Sequence, residues 1–385
     1  MLQVERAGGA GAIEKLETQW QTLEESLHPR TPFASALWNA LWWKHFHTES
    51  VWCRDEIFVH AVRNEAGVLV AVAPMMLTSR PAHGPVRVRG LQPLGADENI
   101  TELRSVIARP EDTLEVLETL SGYFRANPHF WDWLRWCGVP ANLQSRALLE
   151  LGGRIQWGRE VPSYYVTLPG SWDEFKAGLS RNMKEALRKC YNSLKRAGHE
   201  FEFRAIDSAV QTPAALAIFF ELHAERASAG DLPAHANVFA RPAARDFLIE
   251  YAQRMAERGQ LRIFQLVIDQ EVVATRVGFV LGKELYLYYS GFRVAWAPHS
   301  VMTTVVAEAI QWAIQQGLRG VNLSTGRDPS KLRWKPQEIV FCEGVQVSSR
   351  RLQQLAAGAY LQLAERATPS SVLGRLLRPA RRSKF

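Results

Sequence analysis

Cysteine is sparse: Cys53, Cys137, Cys190 and Cys342 are the only four, scattered without a close pair. That spacing argues against both a zinc site and a disulfide framework, and it suits a reducing compartment. No run of about eighteen apolar residues occurs, and Met1–Ala12 lacks a basic segment followed by an apolar one. A cytoplasmic protein with no membrane span and no resident metal is therefore expected. Basicity is also missing from most of the chain, although the formal charge is +7. It is concentrated in Arg181–Arg196, where six cations face only Glu185, and in Arg375–Phe385, where five cations face no acid. The protein is thus not cationic in general but carries two basic patches.

What is present describes a folded chain. At 385 residues it exceeds what one hydrophobic core usually serves, so two domains are expected. With 47% hydrophobic and 22% charged residues, disorder is excluded for most of it. The 13 tryptophans fit large buried contacts.

The C-terminal half carries the clearest strand series. Leu261–Ile268 and Val272–Leu281, separated by Asp269-Gln270-Glu271, read as a hairpin, and Glu284–Ser290 follows as a third strand. His299–Gln316 has apolar residues at helical spacing and stops at Gly317. Strands at Gly320–Ser324 and Ile339–Val347 flank a polar loop, Thr325–Gln337. The N-terminal half repeats this order: Ile57–Arg63, Val68–Leu77 and Val86–Gln92 as strands, Pro110–Arg125 as a helix and Phe130–Trp136 as a strand. Two similar mixed α/β domains are expected, at 1–160 and 161–350, followed by a C-terminal helix and basic tail at 351–385. The periodicity also predicts one long amphipathic helix over Ser171–Ala197, with Arg181, Lys184, Arg188 and Lys195 opposite its apolar stripe.

Three stretches carry a family resemblance. Trp20–Phe46, with a Trp-x-x-Leu helix before Pro-Phe and a Trp-rich helix, resembles the opening of CelD/BcsL-type acetyltransferases. Ser171–Gly198 is similar to that family's basic helix, and Ser324–Trp334 resembles its Gly-x-x-x-x-Lys-x-x-Trp loop. The family belongs to the GNAT superfamily and is related to Fem-type aminoacyl ligases, which also use tandem GNAT domains. The resemblance implies an α/β fold of two tandem GNAT-like acyl-CoA N-acyltransferase domains. It further implies acyl transfer from acyl-CoA, such as acetyl-CoA, to a small-molecule or glycan acceptor in exopolysaccharide or cell-envelope metabolism.

By the same resemblance, Tyr288–Thr303 is the segment where donor pantetheine and pyrophosphate lie, because a helix N-terminus offers open amides and a favourable dipole to anions. The donor contacts expected are Tyr289, Arg293, Pro298, His299, Ser300 and Val301, with Pro298-His299 standing where relatives have Pro-Gly. Tyr288, Ser324, Arg327, Arg333 and Trp334 are expected at the substrate, and Lys331 in the chemistry. Glu102, Asp97, His223 and Asp231 are the candidates for a general base. Charged tRNA gripped by the basic helix is the alternative donor. A GNAT scaffold without activity, binding an anionic partner, is the remaining alternative.

Overall fold

In the computed structural model, residues 1–9, 11–84, 87–97, 99–143, 155–230 and 235–348 are described. Asp231, the expected C-terminal helix and the basic patch Arg375–Lys384 lie outside them. The chain forms two compact units, one of Met1–Pro29, Phe33–Val161 and Val340–Phe385, the other of Arg30–Pro32 and Pro162–Ile339. Among the described residues no helix is long and apolar enough to cross a membrane.

The first unit is a mixed sheet with helices. Strand β1 (Gln3–Gly8) pairs antiparallel with β2 (Arg54–Arg63), which also pairs with β3 (Leu69–Ala73) and β4 (Met75–Arg80). The expected strand Val68–Leu77 is therefore two strands, interrupted at Pro74, which has no N–H to give to a ladder. β4 pairs with β5 (Val88–Pro93), and the short β6 (Ile107–Ala108) pairs with β3. Helices α1 (Glu17–Ser26) and α2 (Ala36–Phe46) precede β2, and Trp20, Trp38 and Trp42 are buried, as the count of tryptophans suggested. Helix α3 (Thr113–Ala126) returns the chain to β7 (Trp133–Pro140), which runs parallel to β5.

The second unit repeats that plan. Its strands β9 (Phe201–Ile206), β10 (Leu261–Ile268), β11 (Glu271–Leu281) and β12 (Glu284–Phe292) pair antiparallel in that order. The β10–β11 turn is Asp269-Gln270, both with positive φ (47° and 69°), the handedness that two-residue hairpin turns need. The chain crosses through α8 (Val301–Gln315) to β13 (Gly320–Thr325), which is parallel to β12 and antiparallel to the second half of β8 (Ile155–Thr167). The last strand, β14 (Gln337–Val347), was expected to finish the second domain, but from Val340 onward it belongs to the first unit, antiparallel to β7.

The long helix expected over Ser171–Ala197 is two: α4 (Trp172–Gly178) and α5 (Arg181–Arg196). Leu179 and Ser180 are extended, and the Ser180 hydroxyl accepts from Met183 N–H at 3.2 Å, so a helix cap interrupts the run. Apolar spacing passes through the break unaltered: Phe175, Leu179, Met183, Leu187, Cys190 and Leu194 are all buried. All but Cys190 pack with Leu285, Leu287, Val301 and Val305 in one core cluster. Helices α6 (Thr212–Ser228) and α7 (Pro242–Glu257) supply another layer, where Tyr251 meets Phe279 and His223 meets Tyr289.

One buried group makes the first unit sensitive to acid. His60 on β2 is 0% exposed, edge-on to Phe124, Tyr123 and Phe58 at 5.0, 5.4 and 5.6 Å, and both ring nitrogens lack a hydrogen-bond partner. Burial, helped by the Arg6 charge, lowers its pKa to about 3. The unfolded chain therefore binds a proton below about pH 6.5 that the folded chain refuses. This contribution to stability is complete above that value and is lost as pH falls toward 3. Chemical denaturation of wild type and His60→Phe between pH 7 and 4.5 checks this. The wild type is expected to lose about 2 kcal/mol more than the variant; parallel pH profiles would contradict it.

Candidate functional site

The second unit concentrates its unusual backbone in one place. β13 pairs with β12 at only three positions, Glu284↔Gly320, Leu285↔Val321 and Tyr286↔Asn322, after which the two parallel strands part. The first pair is anchored by Glu284, whose carboxylate accepts from the Arg30 N–H at 2.7 Å and the Tyr165 hydroxyl at 3.2 Å. On the other edge of β12 the register with β11 shifts: Arg276 faces Ser290 but Gly278 faces Leu287, so Tyr288 and Tyr289 oppose Val277 alone. This β-bulge ends the side-chain alternation expected for the strand. Tyr289 now joins Tyr288, His223 and Phe239 at 4.6, 5.6 and 5.3 Å. Both tyrosines are buried. Just beyond, α6 comes so close that a Cβ on Gly291 would sit 2.3 Å from the His223 nitrogen, which only glycine avoids.

Helix α8 begins at the same end. A 3-10 turn, Val294–His299, leads into Ser300, which is left-handed (φ 54°, ψ 39°) and gives the helix no side-chain cap. The N–H groups of Thr303 and Thr304 turn back to the Ser300 carbonyl at 2.8 and 3.3 Å, whereas those of Val301 and Met302 meet no acceptor among the described residues. Such a first turn is electropositive and open to an anion. A left-handed non-glycine residue at its start is a strained feature of the kind found at binding sites.

The loop after β13 is tied to itself. Ser324 (φ 73°) donates its N–H to Asn322 Oδ1 at 2.8 Å, and Gly326 N–H reaches Pro162 O at 2.9 Å. Asp328 caps the short helix α9 (Pro329–Leu332) by accepting from Ser330 N–H at 2.8 Å. The Lys331 ammonium donates to the carbonyls of Thr325 and Gly326, and Lys335 to the Gly178 carbonyl at 2.7 Å. Arg333 instead projects to α8, donating to Thr303 Oγ1 at 3.2 Å. An exposed guanidinium thus stands at the first turn of α8.

Other expected contacts sit differently. Arg293 is held by Glu221, Glu225 and Glu271 at 2.6, 2.9 and 2.9 Å, so its charge is already neutralised and fastens the chain to α6. Trp334 is 3% exposed and lies face-on to Phe175 at 6.5 Å, in the core rather than at a ligand. Arg327 pairs with Glu338 at 3.2 Å. Pro298 is exposed, and His299 Nδ1 lies 3.2 Å from the Ser193 hydroxyl of α5.

Of the candidate bases, His223 is fully buried, donates from Nδ1 to Ser290 O at 2.9 Å, and has its pKa lowered to about 4 by burial. Asp97 is a structural carboxylate, accepting from Trp42 Nε1 at 2.7 Å and from the N–H groups of Ile100 and Thr101 at 2.6 and 3.1 Å. Glu102 belongs to the first unit. Arg226, His235 and Asp328 are not among the residues that the sequence motifs single out. Arg226 stands one turn after His223 on α6, which is a usable signal, but His235 sits in a loop with no periodicity to single it out. A separate groove of about 520 Å³ between α6 and α7 contains none of these residues.

Residues 181–335 match the family model of the acetyltransferase (GNAT) domain. The second unit carries a GNAT domain. Most of the chain also resembles solved structures. FemX has TM-score 0.57 and 10% identity over 85% of this chain and 95% of its own. The C-terminal domain of a putative lysylphosphatidylglycerol synthetase from Agrobacterium fabrum gives 0.49 and 12%, over 91% and 97%. A tandem GNAT protein from the clavulanic acid biosynthesis pathway gives 0.44 and 10%, over 89% and 98%. No curated protein matches the sequence. The likeness to FemX is one of fold, and it extends well beyond the GNAT domain itself.

Trp334 and Arg333, adjacent in sequence, therefore separate core from surface. Trp334→Ala is expected to cost about 3–5 kcal/mol of stability in chemical denaturation, as large-to-small core changes do. Arg333→Ala is expected to stay within about 0.5 kcal/mol of wild type. Equal losses would show that the assignment is wrong.

Proposed function

We propose that the protein is a GNAT-type acyltransferase that takes an acyl group from an acyl-CoA and delivers it to an amine or hydroxyl acceptor. The carrying observation is the coincidence, at one end of the sheet, of the parting of β12 and β13 with an uncapped α8 N-terminus and the Arg333 guanidinium. The N–H groups of Val301 and Met302, with Arg333, would hold the donor pyrophosphate, matching negative charge to helix dipole and cation. Ser300 and the 3-10 turn containing Pro298 and His299 set the direction of that first turn. The gap from Leu287 onward would receive the extended pantetheine arm, with the bulge at Tyr288 and Tyr289 shaping one wall. Lys331, by holding the carbonyls of Thr325 and Gly326, would act as the positioning residue that presents Arg333. Ser324, at the bend where β13 ends, would border the acceptor side. Small molecules or glycans are the acceptor classes that the family resemblance suggests.

A second reading, aminoacyl transfer from charged tRNA, draws on the FemX-like fold and on the exposed Arg188, Lys189, Lys195 and Arg196 of α5. Two members of the expected stripe are engaged elsewhere: Arg181 pairs with Glu185 at 3.2 Å and Lys184 donates to the Ala177 carbonyl at 2.8 Å. That leaves a small footprint for a nucleic acid, and acyl-CoA is the favoured donor.

Calorimetric titration with acetyl-CoA distinguishes them. Arg333→Ala is expected to weaken binding about tenfold, the loss of one charge-assisted contact of roughly 1.4 kcal/mol. A variant with Arg188 and Lys195 changed to Gln should bind acetyl-CoA as wild type does. Tight, steeply salt-dependent tRNA binding abolished in that double variant, with no binding of acetyl-CoA, would replace the first reading with the second.

A further inference from the structure

We propose that His235 is the general base of the transfer, accepting the proton that a primary-amine acceptor must lose before it attacks. The inference rests on reading the β12–β13 gap as the donor site, and it names the residue at the gap's open end that takes part in the chemistry.

The position follows from its neighbours at the end of β12 and from the charges that act on it. On the β12 side, His223 donates to the Ser290 carbonyl at 2.9 Å, and the His235 ring stands edge-on to His223 at 5.0 Å between centroids. Arg226, one turn further along α6, lies over the Phe292 ring at 5.8 Å, and its charge acts on His235. On the β13 side, Asp328 follows the strand end and acts on the same imidazole. His235 is therefore beside the carboxyl-terminal end of β12, the open edge at which a parallel pair presents its ligands, with Asp328 acting on it electrostatically.

The other groups at this end cannot do the work of a base. His223 is fully buried and its Nδ1–H is committed to Ser290. Asp328 caps α9, Lys331 is held on two carbonyls, and Arg226 is a permanent cation. His235 is half-buried, so an acceptor can reach it. Burial first, then the Arg226 charge, hold its pKa below the ordinary imidazole value, with Asp328 opposing them; the shift favours the neutral ring, which can take a proton.

The step balances without a further reactant. The acceptor ammonium gives one proton to the His235 imidazole. The free amine attacks the thioester carbonyl carbon; the C–N bond forms and the C–S bond breaks. The departing thiolate takes the second proton that the nitrogen sheds, and His235 releases its own proton to water.

The test compares full-length wild type with His235→Gln, using acetyl-CoA as donor and two acceptors, ethanolamine and hydroxylamine, with release of the CoA thiol as the rate. Ethanolamine is protonated at pH 7.5 and needs a base, whereas hydroxylamine is not and does not. The variant is expected to bind acetyl-CoA with unchanged affinity and to lose at least about a hundredfold in rate with ethanolamine. It should lose less than about threefold with hydroxylamine, and lack the acid limb that the wild-type ethanolamine rate shows. A wild-type rate in the variant, equal losses with both acceptors, or binding without transfer to ethanolamine in the wild type would each overturn the assignment. Failure of the wild type to bind acetyl-CoA would instead remove the donor site on which it rests, and the binding measurement separates that result from the others.

Discussion

The candidate site depends on one constraint: two parallel strands that hydrogen-bond at three positions and then separate. Parallel strands joined by a helix ordinarily stay in register along their length, since each residue left behind forfeits ladder bonds. Here the separation is stabilised from both sides. Glu284 fixes the paired end through Arg30 and Tyr165, while the β12 bulge and the close approach of α6 at Gly291 bend the other end toward α6. Without that divergence, β12 and β13 would stay paired up to the start of α8.

The rest of the site is organised around the mouth that this creates. Ser300 turns the chain left-handed so that α8 begins without a cap, and α5 braces the turn through Ser193 and His299. The loop after β13 is held by its own lysine and its own aspartate, which leaves Arg333 as the cation it extends to α8. A device of this sort needs few residues, and they come from separated segments of the second unit. That distribution is why no short motif announces it.

Much of the fold was legible in the sequence. Alternating β-branched residues marked β10, β11 and β12, helical spacing marked α8, and the repeated strand order pointed to two similar α/β units. Errors arose where local chemistry overrode periodicity. The apolar stripe over Ser171–Ala197 is continuous, but Ser180 caps a new helix within it. Pro74 divides a strand whose hydrophobic pattern is unbroken, and the last strand leaves the second unit at Val340 although nothing in its composition marks the change. In the site, helix starts and the basic loop were readable as segments, while individual roles were not. Arg293 looks like a loop cation until three carboxylates from other elements are brought to it, and Trp334 looks like a ligand platform until Phe175 covers it. His235 becomes visible only once the fold places it beside His223.

Hydrogen–deuterium exchange of the whole chain with and without acetyl-CoA tests the central claim most directly, because it reports backbone amides residue by residue and needs no acceptor. If the parted strands and the α8 start are the donor site, protection should appear together in Leu287–Phe292 and Val301–Thr304, with Arg333→Ala weakening the second more than the first. Protection confined to α5, to the groove between α6 and α7, or to the first unit would contradict the account.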